Sequence, residues 1–337
     1  MKALAKSVAL KVGGFDLWHR ARNRDYLTVL MFHRVLPAGE SERLSADPEY
    51  TVTPELLSEV VEFCKRYYTP VGLEDVLASR EGIRPLPPHP VLITFDDGWR
   101  DNLDYAQPVL SAAGVPWVVF AATDAVASPG MWWQEVMEWA LRSGRVSPDE
   151  LWAAASGDAG SCSSKAGALS LLLHFGSLPE EKRNALLEPY ARTMRELYRS
   201  NIALSAEDLR FLRENSVSVG AHGSSHLPLS LMDRAEKDVV AARTWLSDNV
   251  DVTAGASISF PHGRYDSHTA QITRDAGYRL LFTSKPILNH CPQGWLKTDI
   301  LGRILIATDN VTGADGAVMN EKLAPWLFLQ ERSALSI

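Results

Sequence analysis

Cysteine is scarce in this chain: Cys64, Cys162 and Cys291 are three residues in 337, with no close pair among them. An odd, scattered count argues against a disulfide framework and against a cysteine-based zinc site, and it suits a reducing compartment. A basic excess is missing as well, since 34 Lys and Arg face 41 Asp and Glu for a net charge of −7. Proteins that neutralise phosphates need the opposite balance, so no nucleic-acid partner is expected. No apolar run approaches the roughly 18 residues needed to cross a bilayer. The opening MKALAKSVALKVGGFDLWHR does not read as a secretory signal, because Lys2, Lys6 and Lys11 cut its apolar stretch into short pieces. The expected location is therefore cytoplasmic. Glycine (22) and proline (19) stay near ordinary globular usage, which excludes a collagenous or low-complexity chain. What remains is a folded protein, 46% hydrophobic, with enough apolar material for a sizeable core.

Within the first 25 residues, Leu4, Val8, Val12, Phe15 and Trp18 fall on one helical stripe. A basic amphipathic helix of this kind can make peripheral contact with an anionic membrane. A terminal helix packed on its own domain shows the same pattern and is the commoner case, and Gly13-Gly14 would interrupt it. Residues 26–337 read as one domain. Short apolar runs at 28–32, 91–95, 115–121, 217–221, 256–260, 280–283 and 301–306 have the look of strands buried on both faces. Helical patterns at 54–67, 101–113, 205–214, 233–246 and 267–276 lie between them, with stop and start signals such as Thr53 before Pro54 and Gly114 after Ala113. Such alternation implies an α/β fold with parallel strands and right-handed crossovers. Seven strands suggest a distorted (β/α)7-type barrel. Residues from about 129 to 201 carry only helical and loop patterns, and they read as a helical insertion between strands 3 and 4.

Three clusters carry chemistry, each at the end of an expected strand, where parallel β/α folds gather their catalytic groups. Thr94-Phe95-Asp96-Asp97-Gly98 presents adjacent carboxylates, one suited to hold a metal and the other to accept a proton. An Asp-rich strand-to-helix turn would look the same. Gly220-Ala221-His222-Gly223-Ser224-Ser225-His226 spaces two histidines four apart, and Gly223, the serines and Pro228 require a folded-back loop to bring them together. Ser259-Phe260-Pro261-His262-Gly263-Arg264-Tyr265-Asp266 is a third polar, aromatic turn. His33 closes the first strand, where it could reach a pocket or be a buried structural histidine. Trp132 and Trp133 could stack on a sugar ring as part of a substrate pocket, although aromatics that head a helix usually pack into a core.

Together and in this order, the three clusters resemble the signature of the polysaccharide deacetylases, carbohydrate esterase family 4, which share the nodulation-factor deacetylase homology domain. The resemblance spans about residues 26 to 306, insertion excepted, and implies a distorted barrel of about seven β/α units. It further implies Asp97, His222 and His226 as ligands of one divalent ion, most simply Zn2+, with Asp96 as the catalytic base. Pro261 and the backbone N–H of His262 fall at positions that line the pocket and contact the oxyanion. Two departures mark a variant branch: Ser259 stands where the family carries a base-orienting arginine, and no histidine follows 301–306 to act as general acid. His33 is the histidine expected beside the metal, as that acid or as a residue orienting a catalytic group. The implied activity is removal of an N-acetyl group from an amino sugar in bacterial cell-surface glycan synthesis. The implied substrate is an N-acetylated sugar, a nucleotide sugar or a lipid-linked glycan. A non-sugar amidohydrolase on the same fold and a degenerate glycan-binding barrel are the competing expectations.

Overall fold

A computed structural model of the chain describes residues 14–128, 132–157, 167–198, 201–313 and 320–333. The apolar runs become the parallel strands β1 (Tyr26–Phe32), β2 (Pro90–Phe95), β3 (Trp117–Ala121), β4 (Ser218–Ala221), β5 (Ser257–Ser259) and β6 (Leu280–Phe282). Every residue of β2 and β3 is buried, as expected of strands covered on both faces. Sequential strands are spatial neighbours in the order β6-β5-β4-β3-β2-β1. The register of β1 on β2 runs from Thr28 opposite Val91 to Phe32 opposite Phe95, so the residues that follow, His33 and Asp96, emerge side by side.

The seventh strand differs from the single run expected at 301–306. An antiparallel strand first intervenes, β7 (Ile287–His290), paired with the opposite edge of β1. The expected strand then divides into β8 (Ile300–Leu301), which pairs with β6, and β9 (Ile304–Leu305), which pairs with β1. One short segment thus joins both edges and closes the curled sheet. The break at Gly302-Arg303 has a local cause. Asn289 receives the Gly302 N–H (2.8 Å) and donates to the Gly302 carbonyl (2.9 Å), replacing a strand partner. A Cβ on Gly302 would come within 2.2 Å of Ile287 Cγ1, so only glycine fits.

Between β3 and β4 the insertion forms the helices Trp133–Arg142, Pro148–Ser156, Gly167–Ser177 and Glu180–Tyr198. They build their own apolar cluster, with Trp139, Phe175, Leu187 and Met194 buried in it. The insertion leaves from the C-terminal end of β3, the same end of the sheet at which Asp96 and Asp97 emerge. At the N-terminal side, helix Gly14–Arg22 packs on the domain: His19 stacks on Phe328 at 3.9 Å, and Arg22 donates to the Phe328 carbonyl at 2.7 Å. Leu17 and Trp18 stay exposed, while Leu4, Val8 and Val12 lie outside the described residues. Cys64 and Cys291 are free and buried, and Cys162 is outside the described residues. Among the described residues no helix is long and apolar enough to cross a membrane.

Candidate metal centre and catalytic pocket

The three motifs meet because parallel strands of one curled sheet deliver them at the same end. Asp97 follows β2, His222 and His226 follow β4, and His262 follows β5. Each loop turns back through left-handed backbone, at Asp97 (φ 78°), His226 (φ 56°) and His262 (φ 57°). Non-glycine residues pay for this conformation, and such strain gathers at sites whose side chains must be held in fixed directions. Asp238 tethers the histidine loop from outside, its carboxylate accepting the backbone N–H of Ser224 (2.7 Å) and Ser225 (2.9 Å). Gly223 leaves room for that contact, since a Cβ there would lie 2.9 Å from Asp238 Oδ1.

Asp97 Oδ1 lies 3.2 Å from His222 Nε2 and 3.1 Å from His226 Nε2, and one ligand atom from each residue falls within 4.8 Å of the others. Ligand atoms bonded at 2.0–2.2 Å to a tetrahedral ion would be about 3.3 Å apart, so the spacing suits a zinc-sized cation. The outer contacts fit as well. His222 Nδ1 meets the Ser259 carbonyl at 2.8 Å, which turns the Nε2 lone pair inward. Trp99 Nε1 donates to Asp97 Oδ2 at 2.9 Å and leaves Oδ1 for the centre. Electrostatics point the same way. Burial opposes charge on His222, yet Asp96 and Asp97 raise it above its ordinary value. Burial likewise opposes charge on Asp97, but the adjacent His226 and His222 hold it well below the usual carboxylate range. The folded site favours a cation.

Asp96 is buried beside this centre, and the motif that carries it offers no base to pair with it. The structure supplies one from the closing segment: Arg303, fully buried, places Nη1 2.6 Å from Asp96 Oδ1 and Nη2 2.6 Å from Oδ2. Ser259 takes part rather than leaving a gap, receiving Arg303 Nη2 at 2.8 Å and donating to Asp96 Oδ2 at 3.1 Å. Burial would raise Asp96, but the Arg303 charge and His222 lower it, so the carboxylate stays ionised. A signal for Arg303 existed: an arginine between Gly302 and Ile304, inside an apolar strand, must find an acid or remain an uncompensated buried charge. Trp99 was missed too. It links Asp97 to Arg34, whose guanidinium lies 4.0 Å over its ring and pairs with Asp101 at 2.9 Å.

His33 lines the same cavity of about 580 Å3 as Asp96, Asp97, His222, His226 and His262. Its Nδ1 is buried without a hydrogen-bond partner, its ring meets Tyr50 at 4.7 Å, and burial pushes its pKa down despite Asp97 and Asp96. His262 places Nε2 3.1 Å from the His226 carbonyl; burial and the neighbouring His226 and His222 lower it to about 3. Trp132 and Trp133 are 3% and 7% exposed, packed in the apolar cluster of the insertion, with the Trp132 ring 5.4 Å from that of His226. Pro261 is buried against the Gly223 turn. From the insertion, Glu135, Glu138 and Arg142 form the far wall of the cavity.

No family model matches the sequence, and no curated protein matches it either. Solved structures do. A Streptococcus pyogenes deacetylase determined with acetate superposes with a TM-score of 0.56, covering 85% of this chain and 95% of that one. A de-N-acetylase from Aggregatibacter actinomycetemcomitans gives 0.57, covering 87% and 98%. A polysaccharide deacetylase from Bacillus cereus gives 0.54, covering 90% and 69%. Each is 16% identical to this chain. The fold of this chain is therefore the fold of solved polysaccharide deacetylases, the α/β barrel that the strand pattern implied.

Proposed function

We propose that the chain belongs to the polysaccharide deacetylase family and is a metal-dependent hydrolase that removes an N-acetyl group from an amino sugar during cell-surface glycan synthesis. The observation that carries this reading is the pairing of a three-ligand centre, Asp97, His222 and His226, with an ionised, Arg303-clamped carboxylate on the adjacent residue. Three protein ligands leave a coordination position open, which is the catalytic rather than the structural arrangement. Zn2+ is the simplest occupant of this donor set. When bound, such an ion lowers the pKa of water and polarises a carbonyl.

The remaining steps belong to the side chains. Asp96 accepts the proton of the attacking water as the new C–O bond forms, and Arg303 fixes the direction of its lone pairs. The backbone N–H of His262 is our candidate donor to the oxyanion, a role that needs no charge on its ring. The amine can leave only after its nitrogen gains a proton. His33 is our candidate for delivering that proton, or for orienting the group that does. Because His33 rests neutral, the proton it passes on is one acquired during turnover, and Asp96, which follows the neighbouring strand, is our candidate source. Trp132 is assigned to supporting His226, since its packed ring offers little face to a sugar.

Acetate release from N-acetylglucosamine oligomers, with and without a chelator, tests the reading. Release that stops on chelation and returns with Zn2+ is expected. Metal-loaded protein that releases no acetate from neutral oligomers, nucleotide sugars or lipid-linked sugars would overturn it in favour of a non-sugar amide.

A further inference from the structure

A second cavity, of about 490 Å3, opens beside the catalytic one, in the gap between β6, β8 and β7. Lys285, Lys297 and His290 line it together with Tyr265, Thr283 and Ser333, and no carboxylate is among its lining residues. In a chain of net charge −7, a cavity lined by two lysines and no carboxylate runs against the average. Both lysines are exposed, and neither side chain makes an ion pair or hydrogen bond among the described residues. Amide hydrolysis at the neighbouring centre has no use for them.

The two cavities have no lining residue in common and lie on either side of the same segments. Ser284 faces the catalytic cavity, while its neighbours Thr283 and Lys285 line the second. Gly263 and Tyr265 divide in the same way one turn earlier, with the Tyr265 ring held parallel to Phe260 at 5.1 Å. The backbone at Lys285 is fixed, its carbonyl receiving the N–H of Ile287 and of Arg303, each at 2.9 Å. The segment that presents Lys285 is therefore bonded to the segment that clamps the catalytic base.

We infer that this second cavity binds the phosphate of a phosphate-linked amino sugar whose acetamido group lies at the metal centre. The inference rests on the deacetylase reading above. Lysine ammonium groups bind phosphate as point charges and form charge-assisted hydrogen bonds with it. The phosphate has two sources, a soluble nucleotide-diphosphate sugar or a lipid-phosphate-linked sugar.

Calorimetric binding to the zinc-loaded full chain tests this, with N-acetylglucosamine 1-phosphate as the probe and N-acetylglucosamine as its neutral counterpart. The phosphate should tighten binding to the wild type by about tenfold or more, a single well-made charged contact being sufficient. Lys285→Ala/Lys297→Ala should abolish that difference, and Lys285→Arg/Lys297→Arg should keep it. Metal content and acetate release from neutral oligomers should be unchanged in both. UDP-N-acetylglucosamine and phosphatidylcholine vesicles carrying a polyprenyl-phosphate-linked N-acetylglucosamine then separate the sources, since the true one should bind more tightly than the bare sugar phosphate. Equal affinity of the wild type for the two small probes, or a preference that survives the alanine pair, overturns the inference. Failure of the wild type to release acetate from any substrate would overturn the deacetylase reading instead, and leaves the binding comparison to stand or fall on its own readout.

Discussion

Arg303 and Asp96 are 207 residues apart in sequence, yet they share two parallel hydrogen bonds of 2.6 Å at the floor of the cavity. Bidentate pairing fixes a carboxylate in orientation as well as in charge. The consequence for stability is asymmetric. Removing one member of a buried pair costs about 3–5 kcal/mol, because the other charge remains without compensation, whereas replacing both with apolar residues is often neutral. Arg303→Ala should therefore lower the denaturation midpoint sharply and abolish turnover. Asp96→Leu/Arg303→Met should recover most of the stability and none of the activity. Chemical denaturation of the two variants checks this, and a double variant as unstable as Arg303→Ala would show that the pair is not isolated.

Base and ligand should separate cleanly. Asp96→Asn is expected to keep bound metal and lose turnover by about 10²–10⁴-fold, the range for a general base. Asp97→Ala and His226→Ala should lose the metal too. Elemental analysis of the purified variants decides, and an Asp97→Ala protein as metal-loaded as wild type would contradict the ligand assignment.

Metal should also act as a stabilising ligand. Binding to the folded state alone adds about 2.7 kcal/mol at a hundred times the dissociation constant. Thermal midpoints of the wild type should rise with added Zn2+, while those of His222→Ala should not respond.

Glu138 gives a pH test outside the metal shell. Burial and the neighbouring Glu135 raise its carboxyl to about 7, against Arg142 at 3.6 Å. Its folded form therefore holds a proton between about pH 4.5 and 7 that the unfolded chain has released, so it opposes stability increasingly as pH rises through that window. Glu138→Gln should raise the melting temperature at pH 8 and leave it unchanged at pH 4. The gain should be about 1 kcal/mol or less, because the side chain is 40% exposed and solvent screens it. An equal shift at both pH values would show that the effect is packing rather than charge.

The proton donor is decided by the rates of metal-loaded variants. Burial keeps His33 neutral at rest, so it adds no alkaline limb of its own. His33→Ala with metal retained should lower kcat across the pH range without moving either limb, whereas His262→Ala should raise KM more than it lowers kcat. If kcat falls only in His262→Ala, the role passes to that residue.

What the sequence determined was local. Buried strands must be apolar, turns at strand ends must carry residues that tolerate left-handed backbone, and a parallel β/α chain gathers its polar strand ends at one rim. Those constraints are written within a few residues of each motif, so Asp96, Asp97, His222, His226 and His262 could be read from the chain, and His33 could be placed beside Asp96 from the neighbouring strands. Tertiary structure decided what depends on closure. The last strand breaks at Gly302 because the Asn289 side chain takes the place of a strand partner, and the break turns Arg303 inward to the carboxylate it serves. Ser259, which looked like a lost arginine, is the small residue that shares that arginine from the next segment. Trp132 sits at the edge of His226 rather than in the cavity because the insertion folds around its own core. Spacing along a chain records what neighbouring residues do to one another; which distant side chain fills a buried electrostatic need is set only when the barrel closes.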